Sequence, residues 1–145
     1  MITAIDTSVL LDLFAADPAH VAASQVAVRS CLQEGSLVVC EVVLAELRPH
    51  FRDDAPLMEA LAKLGVEYIP MSREGALLAG RVWRQYREAG GPRQRLIADF
   101  LVAGHASTSA DRLLTRDRGF YRKWFRQLPV LPPSRRSGSG AGSPC

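Results

Sequence analysis

Short apolar runs alternate along this chain with stretches of helical spacing. Met1 to Ile5 is an apolar run ended by Asp6, and it reads as a strand buried on both faces. Thr7 and Ser8 are good N-cap residues for the short helix VLLDLF that follows. Ala19 to Leu32 repeats small and apolar residues at helical intervals, and Gly35 is its stop. Leu37 to Cys40 is a second buried-type strand. Glu41 opens another helix, VVLAEL, which ends near Pro49. Ala55 to Leu64 places Leu57, Leu61 and Leu64 on one face, and Gly65 closes it. Val66 to Pro70 is a third strand. Ser72 caps a long helix that runs to Glu88 and stops at Gly90-Gly91-Pro92. A further helix spans about Arg95 to Thr108, and Arg112 to Thr115 is a fourth strand. The run FYRKWF reads as a basic, aromatic turn before a short fifth strand, Pro129 to Pro132. Strand–helix alternation of this kind predicts an α/β fold with a doubly wound, mainly parallel five-stranded sheet.

Composition narrows the class. The 145 residues suffice for one domain with a sizeable core, and 48% hydrophobic with 23% charged residues is ordinary for a globular protein. The domain is expected over residues 1–133. Residues 134–145 are Gly/Ser-rich, offer no apolar face, and are expected to be a disordered tail. The opening lacks a basic n-region and carries Asp6 and Asp12, so no signal peptide is read there. No apolar run reaches membrane-span length. The odd set Cys31, Cys40 and Cys145 reads as two core thiols and a tail thiol in a reducing cytoplasm. His20, His50 and His105 lie near no Cys pair, which argues against zinc.

The net charge of +3 is small but unevenly placed. Arg112, Arg116, Arg118, Arg122, Lys123 and Arg126 surround a single acid, Asp117. Such a cluster suits a phosphate backbone, and equally a solvated face.

The chemistry is in four acids. Asp6 follows strand one, Glu46 falls inside the helix after strand two, Asp99 lies in the apolar stretch IADFLVAGHA, and Asp117 follows strand four. In a right-handed parallel sheet the strand C-termini share one edge, where ligands bind. Carboxylates gathered there repel one another, and Mg²⁺ or Mn²⁺ relieves the repulsion while activating water. The plainer alternative is that each acid caps a helix or pairs with an arginine, as Asp99 would with Arg95 one turn earlier. Asp12 reads as a solvent-facing helix residue, Asp111 as a turn residue, and Glu41 as a first-turn helix acid.

MITAIDTSVLLDLF, VVCEVVLAEL, RLIADFLVAGHA and LLTRDRGFY, in this order, resemble the motifs of PIN-domain ribonucleases, and among them the VapC-type toxins of bacterial type II toxin–antitoxin pairs. The likeness extends to about Pro132. It implies a PIN-like α/β/α sandwich and Mg²⁺- or Mn²⁺-dependent endoribonuclease activity, with water as nucleophile. By resemblance Asp6, Glu46, Asp99 and Asp117 match the acidic quartet, with Asp6, Asp99 and Asp117 as metal ligands. Ser8 matches a hydroxyl that supports the first acid, and serves equally as an N-cap. Arg95 would orient Asp99. Arg116, Arg118 and Arg122 would hold RNA phosphates and Tyr121 would stack a base, whereas Phe120 and Trp124 read rather as packing residues. The resemblance further implies a homodimer and a cognate antitoxin whose C-terminal segment occupies the groove near the acids, with tRNA or rRNA as substrate. Cys40 stands where such sequences often carry Ser or Thr.

Four other readings bear comparison at this level, and the residues count against the first two. A phosphatase with an Asp nucleophile wants a second acid two residues after the first, and Ser8 stands there. A phospho-acceptor receiver domain wants paired acids at strand one, which Asp6-Thr7 does not supply. A catalytically silent PIN-fold binding module, or a nuclease acting on DNA, differs in no residue that the pattern exposes.

Overall fold

The computed structural model of the chain describes residues 1–92 and 95–133. The tail expected to be disordered lies outside them, as does Cys145.

Five parallel strands form one sheet: β1 (Ile2–Ile5), β2 (Ser36–Val39), β3 (Val66–Tyr68), β4 (Arg112–Leu114) and β5 (Val130–Leu131), in the spatial order β3-β2-β1-β4-β5. Four lie within the apolar runs that predicted them, and β2 is shifted one residue earlier than the predicted Leu37 to Cys40. Thr3, Ala4 and Ile5 of β1 are buried, as are Leu37, Val38 and Val39 of β2 and Leu113 and Leu114 of β4. Sequences apolar on both faces suit a sheet covered on both sides. The central β1 pairs Ala4 with Val38 on one side and Ala4 with Leu113 on the other.

The helices are α1 (Thr7–Phe14), α2 (Val21–Glu34), α3 (Glu41–Leu47), α4 (Asp54–Leu64), α5 (Arg73–Glu88), α6 (Ile97–Ser109) and α7 (Arg118–Trp124), with a 3₁₀ turn at Arg48–His50. From β1 the chain builds outward to β3, then returns to the other side of β1 for β4. With right-handed crossovers this reversal puts α1 to α4 on one face and α5 to α7 on the other, an α/β/α sandwich. It also places the topological switch point at the C-terminal ends of β1 and β4, where sheets of this kind form a crevice.

Two helix-boundary signals, one stop and one start, act as the sequence predicts. Gly65 takes φ 74° after α4, and the Ser72 hydroxyl accepts from the Gly75 amide at 3.0 Å. The first cap differs from expectation. Asp6 itself is the N-cap of α1, its side chain accepting from the Thr7 amide, so Thr7 and Ser8 are helical. The run FYRKWF is not a turn but most of α7. Phe120 and Tyr121 are buried and Trp124 half-buried in an edge-to-face cluster with Tyr86 and Phe100, while Arg122 and Lys123 face solvent. Seven residues are too few to show a helical period by themselves, and tertiary packing decides the conformation. Cys31 and Cys40 are buried free thiols. No helix among the described residues is long and apolar enough to cross a membrane.

Candidate active site

The chain order of the sheet brings the four acids to the switch-point crevice from four segments. Asp6 ends β1, and its amide donates to the Leu114 carbonyl at 3.0 Å, extending the β1–β4 ladder by one step. Its Oδ1 accepts from the Thr7 amide at 2.8 Å, and its Oδ2 accepts from the Thr115 hydroxyl at 2.6 Å. Thr115 in turn accepts from the Asp117 amide at 3.0 Å, so one hydroxyl ties the acid after β1 to the loop after β4. Glu46, exposed on α3, accepts from the Thr7 hydroxyl at 2.8 Å. Asp99 lies in the first turn of α6 rather than in mid-helix, because the helix starts at Ile97.

Burial raises the pKa of Asp6 above the usual carboxylate value, the Thr115 and Thr7 bonds oppose this, and the charges of Asp99 and Glu46 add to it. Asp99 is raised as well, by burial first, against the attraction of Arg95 and with the repulsion of Asp117. The acids therefore sense one another across the crevice. Arg95 answers part of that charge. Its Nη1 pairs with Asp117 Oδ2 and stands 3.8 Å from Asp99 Oδ2, and its guanidinium lies 4.2 Å from the Phe120 ring centroid.

The donor set suits a hard divalent cation in chemistry: carboxylate oxygens alone, mutually repulsive. The positions are not those of a formed metal centre. Among the described residues no three His, Cys, Asp or Glu side chains come together closely enough to hold a metal ion. Two grooves lie elsewhere. One, of about 930 Å³, is lined by Leu78, Val82, Trp124 and Phe125, and the other by Met1, Arg112 and Val130, so neither includes an acid of the quartet.

Several expected side-chain roles change. Tyr121 does not offer its ring to a base: it is 1% exposed, and its hydroxyl approaches Asp6 Oδ2 at 3.5 Å. Burial and the Asp6 charge push its pKa far up, so the phenol stays protonated. Arg116 is taken up by Asp12 at 3.0 Å. Asp12, expected to face solvent, is buried and also accepts from the Ser24 hydroxyl at 2.8 Å. Arg112 leaves the basic cluster too, donating to Thr3 and to Glu34 at the opposite end of β4. Arg118 and Arg122 remain exposed on α7. The Ser8 hydroxyl makes no hydrogen bond to Asp6, its buried Oγ having no partner among the described residues; the supporting hydroxyls are Thr115 and, for Glu46, Thr7. Both stand within two residues of a quartet acid, a proximity that could have singled them out. Asp111 and Glu41 tie distant segments together, accepting from the amides of Ile2 and Met71.

A strand-ending acid at a switch point, joined by acids from two flanking helices and the next strand's loop, defines a class of α/β site built for charged ligands. The PIN-domain family profile matches residues 3–125, and the chain belongs to that family. No curated protein sequence matches significantly. The fold is shared with solved complexes. VapBC-1 from nontypeable Haemophilus influenzae has TM-score 0.70 and 19% identity, covering 91% of this chain and 98% of that one. VapBC2 from Rickettsia felis, bound to a promoter DNA fragment, has TM-score 0.69 and 16% identity over 91% and 98% of the two chains. A toxin–antitoxin complex from Klebsiella pneumoniae has TM-score 0.59 and 16% identity over 92% and 99%.

Proposed function

We propose that this protein is a Mg²⁺- or Mn²⁺-dependent endoribonuclease and the VapC-type toxin of a toxin–antitoxin pair. The observation that carries the reading is the meeting of Asp6, Glu46, Asp99 and Asp117 at the switch-point crevice of a PIN-family chain. Asp6, Asp99 and Asp117 are the proposed metal ligands, with Glu46 completing the catalytic set. A divalent cation bound there supplies charge neutralisation and a water of lowered pKa for attack on phosphorus. The chain's own contribution is positional: Thr115 and Thr7 hold Asp6 and Glu46 in fixed rotamers, and buried Tyr121 shields one side of Asp6 from water. Arg118 and Arg122 are the proposed phosphate contacts. RNA, as tRNA or rRNA, is the proposed substrate in the cytoplasm. A second copy of the chain and an antitoxin, its C-terminal segment in the crevice, are the proposed partners. Residues 1–133 form the proposed domain.

The test is cleavage of a tRNA and rRNA mixture with Mg²⁺, with Mn²⁺ and with EDTA, alongside Asp99→Asn. Discrete products that require both metal and Asp99 are expected. A second reading, a PIN-fold binding module without catalysis, is favoured by the lack of a closed metal trio among the described residues. Intact RNA under every metal, from a folded sample, would select it.

A further inference from the structure

Arg95 stands in an unusual place. Among the described residues it is the one cation within ion-pair reach of any of the four acids. Asp6 and Glu46 are satisfied by hydroxyls and a backbone amide. Asp99 and Asp117 instead share a guanidinium, which is itself half-buried and stacked over Phe120. Two carboxylates facing each other beside a buried third need a positive charge between them. Arginine suits that task, because its planar fork stays protonated and presents several donors to two acceptors at once. The hydrogen bond to Asp117 and the charge of Asp99 outweigh the cost of its burial and hold it charged.

From this we infer that Arg95 is the resident counter-ion of the metal-free site and competes with the divalent cation for Asp99 and Asp117. The inference rests on the metal-site reading above. The guanidinium occupies the oxygen that Asp117 would turn to a metal, so the two cations exclude each other there. Arg95 thereby does two things. It keeps the unloaded crevice stable despite its charge, and it sets the metal concentration at which the carboxylates are released. Its backbone lies outside α6, two residues before Ile97, so its departure breaks no helical turn. This explains why an acid cluster of the right composition shows no closed metal trio among the described residues.

The experiment is calorimetric titration of Mn²⁺ into the wild type, Arg95→Met, Arg95→Lys and Asp99→Asn, paired with melting curves with and without Mn²⁺. Methionine keeps the aliphatic reach over Phe120 and removes the charge. Arg95→Met is expected to bind Mn²⁺ at least about fivefold more tightly than the wild type, the scale of a half-exposed ion pair. It is also expected to melt lower without metal and to gain more from Mn²⁺. Arg95→Lys, a point charge without the fork, should fall between and covers the case in which Arg95→Met fails to fold. Binding through Asp99 in the wild type, with equal or weaker binding in both Arg95 variants, overturns the competition and leaves the metal site standing. Binding in no variant, or binding indifferent to Asp99→Asn, overturns both.

Discussion

At the scale of single residues, the acids carry a cost that their neutral forms avoid. Asp6 and Asp99 have pKa values raised in the folded state, by burial and by mutual repulsion. Such a group contributes stability below its unfolded pKa and loses it as pH rises through the folded value. At neutral pH the ionised Asp6 is therefore a burden on the metal-free fold. Asp6→Asn is expected to melt at or above the wild-type temperature at pH 7.5, by roughly a few degrees, with the gain vanishing below about pH 4. It should also lose cleavage and any Mn²⁺-induced rise in melting temperature. A clearly lower melting temperature at pH 7.5 would show that the Thr7 and Thr115 bonds outweigh desolvation. The arginines divide in the same way between structure and binding. Arg116→Ala leaves buried Asp12 with only Ser24, and is expected to cost about 1–3 kcal/mol in urea unfolding. Arg118→Ala and Arg122→Ala should leave stability within about 0.5 kcal/mol and instead reduce the salt dependence of RNA binding.

At the scale of elements, α5 and α6 approach each other closely. A Cβ at Gly75 would lie 2.8 Å from Thr108 Oγ1, and one at Gly104 would collide with the Gly75 carbonyl. The absence of side chains at both positions lets the helices approach backbone to backbone. Because α6 carries Asp99, this crossing also sets where that acid stands. Gly104→Val is expected to destabilise by about 1–3 kcal/mol or more and to weaken Mn²⁺ binding even in the fraction that remains folded. Gly80, whose Cβ would meet nothing, is the control: Gly80→Ala should be neutral or stabilising by up to about 1 kcal/mol. Element identity was legible where periodicity or caps were strong, as in α4 with Gly65 and α5 with Ser72. It was not legible in α7, whose helical state comes from the aromatic cluster of Tyr86, Phe100 and Phe120 on three different helices.

At the scale of the whole molecule, stability should respond to pH through a histidine outside the acid quartet. His105 is buried, its Nε2 has no partner among the described residues, and burial lowers its pKa. The folded chain resists a proton that the unfolded chain accepts. Stability is thus intact above the unfolded value of about 6.5 and falls as pH drops through it toward the lowered folded value. Urea unfolding at pH 7.5, 6.5 and 5.5 should show that decline, and a His105→Leu variant should flatten it. An unchanged slope in the variant would move the effect to other groups.

The hydrophobic pattern by itself determined the strands, their parallel order of succession and the identity of the four strand-edge and helix acids. Buried parallel strands demand continuous apolar runs, and a charge that interrupts such runs at their ends is visible in one dimension. Pairing across the molecule was decided only by the tertiary structure. Nothing in the local sequence distinguishes Arg116, held by Asp12 of α1, from Arg118, exposed on α7. Likewise Tyr121 and Asp12 look exposed along the chain, and become buried because distant segments fold over them. The same holds for Arg95: its proximity to Asp99 follows from four-residue spacing, but its bond to Asp117 exists because the sheet order returns β4 to the side of β1.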